Sequence, residues 1–298
     1  MNWIKKLSLT VAVVFVSGIL MYGTSYNSKP HKKEAGEMHF SLPDSIDFAG
    51  EHAPLHISDV KERLDRELLV NANLDATTLL VIKRANRAFP TIEPILKKYG
   101  VPDDFKYLAV IESNLVNAVS PAGARRIWQF MPETARERGM EVNDMVDERY
   151  HLEKATEAAC KYFLDAKARF ASWTLAAASY NGGMSGVNRQ IEMQKVTDYY
   201  DLLLTEETSR YVFRILALKE IMKNPEKYGF AIGQQDLYAQ LPTKKISVDS
   251  SITDLASFAK SQGINYKILK IHNPWLRDKK LLNASRKVYA IEIPLSGY

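Results

Sequence analysis

The stretch FKYLAVIESNLVNAVSPAGARRIWQFMP, from Phe105 to Pro132, restricts this chain more than any other. It ends an apolar helix on a carboxylate and follows it with a loop of Ser, Gly, Trp and Gln. Phe105, Leu108, Ala109 and Ile111 recur at helical spacing, and Asp103, after the turn Gly100-Val101-Pro102, is placed to cap a helix running to about Leu115. Glu112 falls on the same apolar face, one turn beyond Leu108 and Ala109. A carboxylate held against apolar neighbours resists ionisation, so its pKa rises and it keeps a proton near neutral pH, as a general acid must. Taken alone, Glu112 reads more simply as a helix-end glutamate, solvated or paired with Arg125 or Arg126. Its neighbours change that balance.

Before this stretch, Lys5-Lys6 precede an apolar run from Leu7 to Met21, interrupted by Ser8, Thr10, Ser17 and Gly18. Residues 1–28 read as an export signal. The run is short for a membrane span, which needs roughly 17–25 residues, and no clean A-x-A site follows it. A cleaved signal is therefore favoured over an uncleaved inner-membrane anchor. Residues 29–56, polar and aperiodic with Pro30, Gly36, Pro43, Gly50 and Pro54, read as a tether. Helical patterns follow. Ser58 is placed to cap a helix carrying Val60, Leu64 and Leu68; a second is expected from Asp75 to Phe89, stopped by Pro90; a third from Thr91 to Gly100, with Pro94 in its first turn. Beyond the central loop, Pro132 opens a short helix closed by Gly139, and a long one after Asp147-Glu148-Arg149 carries Ala155, Ala158, Ala159, Tyr162, Phe163, Ala166 and Phe170. An apolar run from Trp173 ends on Tyr180-Asn181-Gly182-Gly183, and a last long helix is expected from Glu206 to Met222.

Four motifs stand in order along this helical region. They are Glu112-Ser113; Ser120-Pro121-Ala122-Gly123-Ala124 with Trp128-Gln129-Phe130-Met131-Pro132; Tyr180-Asn181-Gly182; and Glu207-Thr208-Ser209-Arg210-Tyr211-Val212. The series closely resembles the active-site motifs of the soluble-type lytic transglycosylases, goose-lysozyme-like enzymes that cut peptidoglycan. From about Asp65 to Gly229 the chain looks most like the membrane-bound murein transglycosylases of the D type. Two positions depart from the family pattern. Arg126 stands where relatives usually have glycine before the Leu-Trp-Gln step, which bears on the level of activity, and His151 stands where an acidic residue is more frequent.

The resemblance implies a mainly α, lysozyme-like catalytic domain over residues 57–235, with its motif core at 90–225. It implies peptidoglycan glycan strands as partner and a MurNAc-GlcNAc β-1,4 bond as target. Glu112 is then the catalytic acid and base. Ser120, Gln129, Phe130, Met131, Tyr180, Asn181 and Tyr211 line the sugar cleft, with Ser113 and Glu207 in support. Glycosidases usually use two carboxylates, and Glu133, Asp144, Asp147 and Glu207 are the alternatives for a second. Glu133 reads better as first-turn helix charge and Asp147 as a cap or ion-pair partner. One acid suffices where the 2-acetamido group of the substrate assists. The product is then a 1,6-anhydromuramoyl end.

From about Gln240 the pattern changes. Residues 244–298 read strand, helix, helix, strand, an α+β (β-α-α-β) segment that resembles a degenerate LysM module. Asp249-Ser250-Ser251 replaces the usual Gly-Asp after the first strand, so a glycan binder and a structural cap stand as equal readings.

The single cysteine, Cys160, excludes an intrachain disulfide and any lipobox, and reads as a small buried residue. No metal site or cofactor is expected, since the six histidines show no H-E-x-x-H spacing and no phosphate loop occurs. A net charge of +5 suits an anionic wall polymer, and no nucleic-acid-binding pattern accompanies it. The expected location is the periplasm or cell envelope, with association to the inner or outer membrane left open. Two other readings stand beside the transglycosylase: a lysozyme-type hydrolase on the same fold, and a peptidoglycan-binding scaffold impaired by Arg126.

Overall fold

The helix that organises the molecule is the last long one, Glu206–Lys223 (α8), because it is buried along most of its length. Val212, Phe213, Ile215, Leu216, Ala217 and Ile221 are all fully buried, which marks a helix at the centre of a core rather than at its edge. Around it, the computed structural model describes residues 41–116 and 127–298. Ser58–Asn73 (α1), Phe105–Ser113 (α3) and Trp173–Gly182 (α6) pack directly on α8. Asp75–Tyr99 (α2) and Leu152–Phe170 (α5) pack on each other, and α5 on α6. Pro132–Glu137 (α4) and Met184–Gln194 (α7) are outer elements. The export signal expected at 1–28 lies outside the described residues, and among those described no helix is long and apolar enough to cross a membrane.

Three local expectations are corrected. The chain does not break at Pro90: α2 runs unbroken for 25 residues through both Pro90 and Pro94. Its buried residues Val81, Ala85, Ala88, Ile92 and Leu96 continue one face across both prolines, so tertiary burial outweighs the local proline penalty. Gly100 (φ 70°) then ends it with its N–H on the carbonyls of Leu96 and Lys97. At the start of α3, Asp104 rather than Asp103 holds the N-cap position, and its carboxylate is engaged elsewhere, accepting from Ala49 N at 2.8 Å and Lys219 Nζ at 2.6 Å. Ser58 lies inside α1, which Ile57 precedes as N-cap without a side-chain bond.

A further correction concerns the stretch read as a tether. Asp47–Phe48 (β1) and Glu51–His52 (β2) form an antiparallel hairpin closed by Ala49 (φ 56°) and Gly50 (φ 82°), the two positive angles a two-residue hairpin turn demands. The hairpin is docked by Phe48, fully buried with its ring 4.9 Å from that of Phe105. Phe105 in turn lies 4.3 Å from Phe163 of α5 and 5.4 Å from Trp173 of α6, so one aromatic cluster ties hairpin, α3, α5 and α6 together. Glu51 adds a polar anchor. Its carboxylate accepts from Trp173 N (2.6 Å), Thr174 N (2.8 Å), Thr174 Oγ1 (2.6 Å) and Ser172 Oγ (2.8 Å), closing the N-terminus of α6. Burial opposes its ionisation, but the bonds from Thr174, Trp173 and Ser172 prevail and hold its pKa below the ordinary glutamate value.

Glu51→Ala is therefore expected to destabilise the fold by about 2 kcal/mol, since it removes charge-assisted bonds and a helix cap. Because the folded pKa is depressed, that stabilisation is present above the unfolded glutamate value and is lost as pH falls through the folded value. Denaturant unfolding of both proteins at neutral and acidic pH checks it: the gap between them narrows on acidification.

After α8, residues 238–240 run along α2, with Tyr238 N on Lys83 O (3.1 Å) and Asn86 Nδ2 on Tyr238 O (3.2 Å). Thr243–Val248 (β3) then pairs antiparallel with Tyr289–Pro294 (β4), in register from Thr243 opposite Pro294 to Val248 opposite Tyr289. Leu255–Ser261 (α9) and Tyr266–His272 (α10) cover this two-stranded ribbon in the expected β-α-α-β order. The core of this small unit is not its own alone: Leu255, Leu269, Trp275, Leu276 and Ile291 share it with Val146 and Tyr150 from the helical part.

Candidate active site

Helix α3 stops just past Glu112 because Asn114 (φ 51°) and Leu115 (φ 56°) both adopt the left-handed conformation. Asn tolerates it; for Leu115 it costs about 1–2 kcal/mol, offset by burial of its side chain. Ser113 Oγ bonds Ile127 O at 3.2 Å and Ala109 O at 3.4 Å, so it fastens the helix end to the segment that follows the central loop.

Helix α8 faces this end with a polar stripe. Glu207, Tyr211 and Arg214 lie at successive turns, four and three residues apart, and so share one side. The Tyr211 hydroxyl donates to Glu112 Oε1. Arg214 Nη2 donates to Ile111 O at 3.2 Å, and its charge acts on Glu112. Burial raises the Glu112 pKa to about 7, against the opposing pull of the Tyr211 bond and of Arg214 and with the repulsion of Glu207 added. Burial and the nearby Glu112 push the Tyr211 hydroxyl well above its ordinary value, so it stays a donor. The sequence reading missed Arg214, although its place three residues after Tyr211 on a predicted helix was a usable signal.

The described parts of the remaining motifs close on the same point. Tyr180 OH donates to Trp128 O at 2.7 Å, its ring meets that of Phe130 edge-on at 5.9 Å, and its hydroxyl feels the Glu112 charge. Trp128 is fully buried, its indole Nε1 on Thr156 Oγ1 of α5 at 2.9 Å. Gln129 sits at φ 48°, a left-handed residue between two buried aromatic neighbours, and Met131 is 38% exposed. Asn181 Nδ2 donates to Glu207 Oε1 at 2.9 Å, while its Oδ1 accepts from Thr208 Oγ1 at 2.7 Å. Gly182 permits this approach, since a Cβ there would stand 3.0 Å from Thr208 Cγ2. Thr208 stands in the fourth motif, but no role is assigned to it from sequence alone. Ser120 and Arg126 lie outside the described residues.

A cavity of about 300 Å³ opens beside this cluster, bordered by Asn114, Glu207, Arg210 and Arg214. Of the carboxylates weighed for a second catalytic role, Asp147 is committed to a buried pair with Arg149 at 2.7 Å, as a cap and ion-pair partner. Glu133 is exposed in the first turn of α4. Glu207 alone of these acts electrostatically on Glu112, and its carboxylate is already bonded to Asn181. Among the described residues no three His, Cys, Asp or Glu side chains gather as metal ligands.

Residues 90–203 match the family model described as the transglycosylase SLT domain, and residues 244–297 match the soluble lytic transglycosylase C-terminal LysM-like domain. Membrane-bound lytic murein transglycosylase D of Escherichia coli (strain K12) is 29% identical over 243 residues, which cover 78% of this chain and 52% of that protein. The protein of the same name from Escherichia coli O6:H1 gives the same values. The chain thus spans about half the length of the curated relatives it matches.

Proposed function

We propose that this chain, which joins a lysozyme-like transglycosylase SLT domain to a LysM-like C-terminal domain, is an exported peptidoglycan lytic transglycosylase of the cell envelope with Glu112 as its one catalytic carboxylate. The observation that carries this reading is a glutamate at the end of α3, bonded by Tyr211 and holding its proton up to about pH 7. Such a group gives and retakes a proton at neutral pH with little bias either way.

The reaction is written on one group. Protonated Glu112 gives its proton to the glycosidic oxygen as the bond from that oxygen to the muramoyl C1 breaks. The 2-acetamido oxygen of the same sugar steadies the positive charge at C1. Glu112, now a carboxylate, takes the proton of the C6 hydroxyl, O6 bonds to C1, and a 1,6-anhydro ring closes with no water consumed. Glu112 ends protonated, ready for the next bond. Tyr211 keeps its carboxyl in one orientation, and Gln129, Phe130, Met131, Tyr180 and Asn181 form the wall against which the sugar lies. An export signal at residues 1–28 delivers the protein to its substrate.

Mass spectrometry of the fragments released from peptidoglycan sacculi tests this reading. Muramoyl ends one water lighter than hydrolysed ends support it; reducing muramic acid ends would replace it with a hydrolase, and no release with the protein held on sacculi would replace it with a scaffold.

The pH dependence follows from the same geometry. The acid works only while protonated, so kcat/KM is expected to fall as pH rises through about 7. Tyr211→Phe removes a bond that favours the ionised form, so the falling limb moves to higher pH while the plateau rate drops. Glu207→Gln removes a like charge and moves the limb to lower pH. Profiles of kcat/KM on soluble glycan fragments check both signs.

A further inference from the structure

The small C-terminal unit is fastened to the segment 141–151, which leads into α5. Asp147 N donates to Trp275 O at 2.9 Å, Arg277 N to Met145 O at 2.8 Å, and Val146 bridges Leu276. Lys287 Nζ reaches Glu141 Oε2 at 2.6 Å and Glu148 Oε1 at 3.0 Å, and Tyr289 OH reaches Glu141 Oε2 at 3.0 Å. Trp275 stacks on His151, and the Arg277 guanidinium lies 4.2 Å from the centre of the Tyr150 ring.

The same segment holds the cleft. Asp147, whose backbone N–H is taken by the C-terminal unit, is clasped on both carboxylate oxygens by Arg149, at 2.9 Å through Nε and 2.7 Å through Nη2. The third arm of that guanidinium, Nη1, donates to the carbonyl of Phe130 at 3.1 Å. Phe130 carries its ring against Tyr180 and stands between Gln129 and Met131. An unbroken series of bonded groups thus runs from Trp275 through Asp147 and Arg149 to the cleft wall. Asp147 and Arg149 are both buried, where such pairs are stiff and sensitive to misplacement.

We propose that Arg149 is a positioning residue through which the docked C-terminal unit holds the Gln129–Met131 segment in its working place. This rests on the transglycosylase reading and deepens it: the unit acts on turnover and not on capture of the wall. Its open cavity, along Ser247, Asp249, Ser251, Asp254 and Ser257, lies outside the docking contacts, so a sugar taken there would change KM instead.

Three full-length variants test it. Lys287→Glu sits far along the chain from the motifs, at a partly exposed side chain, and sets a third carboxylate against Glu141 and Glu148. Glu141→Lys/Lys287→Glu restores opposite charges. Arg149→Lys keeps a charge for Asp147 but loses the fork that reaches Phe130 at the same time. Lys287→Glu and Arg149→Lys are expected to lower kcat about tenfold with KM within about twofold, as small displacements in a catalytic site do, and the double variant to recover most of the loss. The indole N–H resonance of Trp128 reports the coupling without turnover: it is expected to shift in Lys287→Glu and return in the double variant. A rise in KM with kcat intact, or no change in kcat together with an unmoved indole signal, would overturn the proposal. The resonance decides the coupling even where native protein releases no fragments, a result that would count against the transglycosylase reading alone.

Discussion

Glu112→Gln is expected to lower the rate of peptidoglycan cleavage by about 10²–10⁴-fold, the usual contribution of a positioned acid and base. Glutamine fills the same space and still accepts from Tyr211, but has no proton to give to a leaving oxygen. The second effect of this substitution separates a catalytic role from a structural one. A glutamate whose folded pKa is raised to about 7 keeps its full native stability only below its unfolded value, and loses it as pH rises towards and through 7, because the folded state then holds an ion it disfavours. The neutral amide carries no such cost. At pH 8 the variant should unfold at a temperature equal to or above that of the native protein while binding sacculi unchanged, whereas a glutamate with a structural role would unfold the protein when replaced. Comparing melting temperatures at pH 5 and pH 8 alongside the activity assay makes the distinction.

Trp128→Ala is expected to carry the largest loss of stability, about 3–5 kcal/mol, the range for deleting a fully buried large aromatic side chain. The side chain lies 5.8 Å, ring to ring, from Phe163, in the cluster that also contains Phe105, and its indole N–H binds Thr156 Oγ1. Its backbone carbonyl is the acceptor for Tyr180 OH. Losing the indole should therefore loosen α5 from the cleft and free Tyr180, so activity falls together with stability. Trp128→Phe keeps part of the volume but not the N–H, and should recover part of the stability. Chemical denaturation of the three proteins at one pH gives the ordering directly: native, then phenylalanine, then alanine.

The surroundings of these two residues show how far local sequence pattern reaches. Helix α3 and the place of Glu112 on its apolar side follow from Phe105, Leu108, Ala109 and Ile111, because helical spacing is a local property. The contact of Glu112 with Tyr211 is not local. The two are 99 positions apart, and only the ordered motifs of a resembling family placed them in one site. Arg214 was within reach of local reasoning, since it shares a helix side with Tyr211. Two features were out of reach. The hairpin at 47–52 has strands of two residues each, too short for any alternation, and its docking depends on one phenylalanine meeting an aromatic cluster from three distant helices. The long helix α2 contradicts the local rule for proline, because its apolar face is covered by α5, which the rule does not see. Docking of the C-terminal unit belongs to the same class: Glu141, Glu148 and Lys287 are ordinary surface charges until the fold brings them together.

The proposed catalysis depends on one buried carboxyl that keeps its proton near neutrality, and its titration is the most direct test. Carboxyl-carbon NMR of glutamate-labelled protein, with the Glu112 signal assigned from its absence in Glu112→Gln, follows that proton alone. A midpoint of about 7 is the expected result. A midpoint at the ordinary glutamate value would mean that Glu112 is ionised at working pH, has no proton to give, and is not the acid of this site.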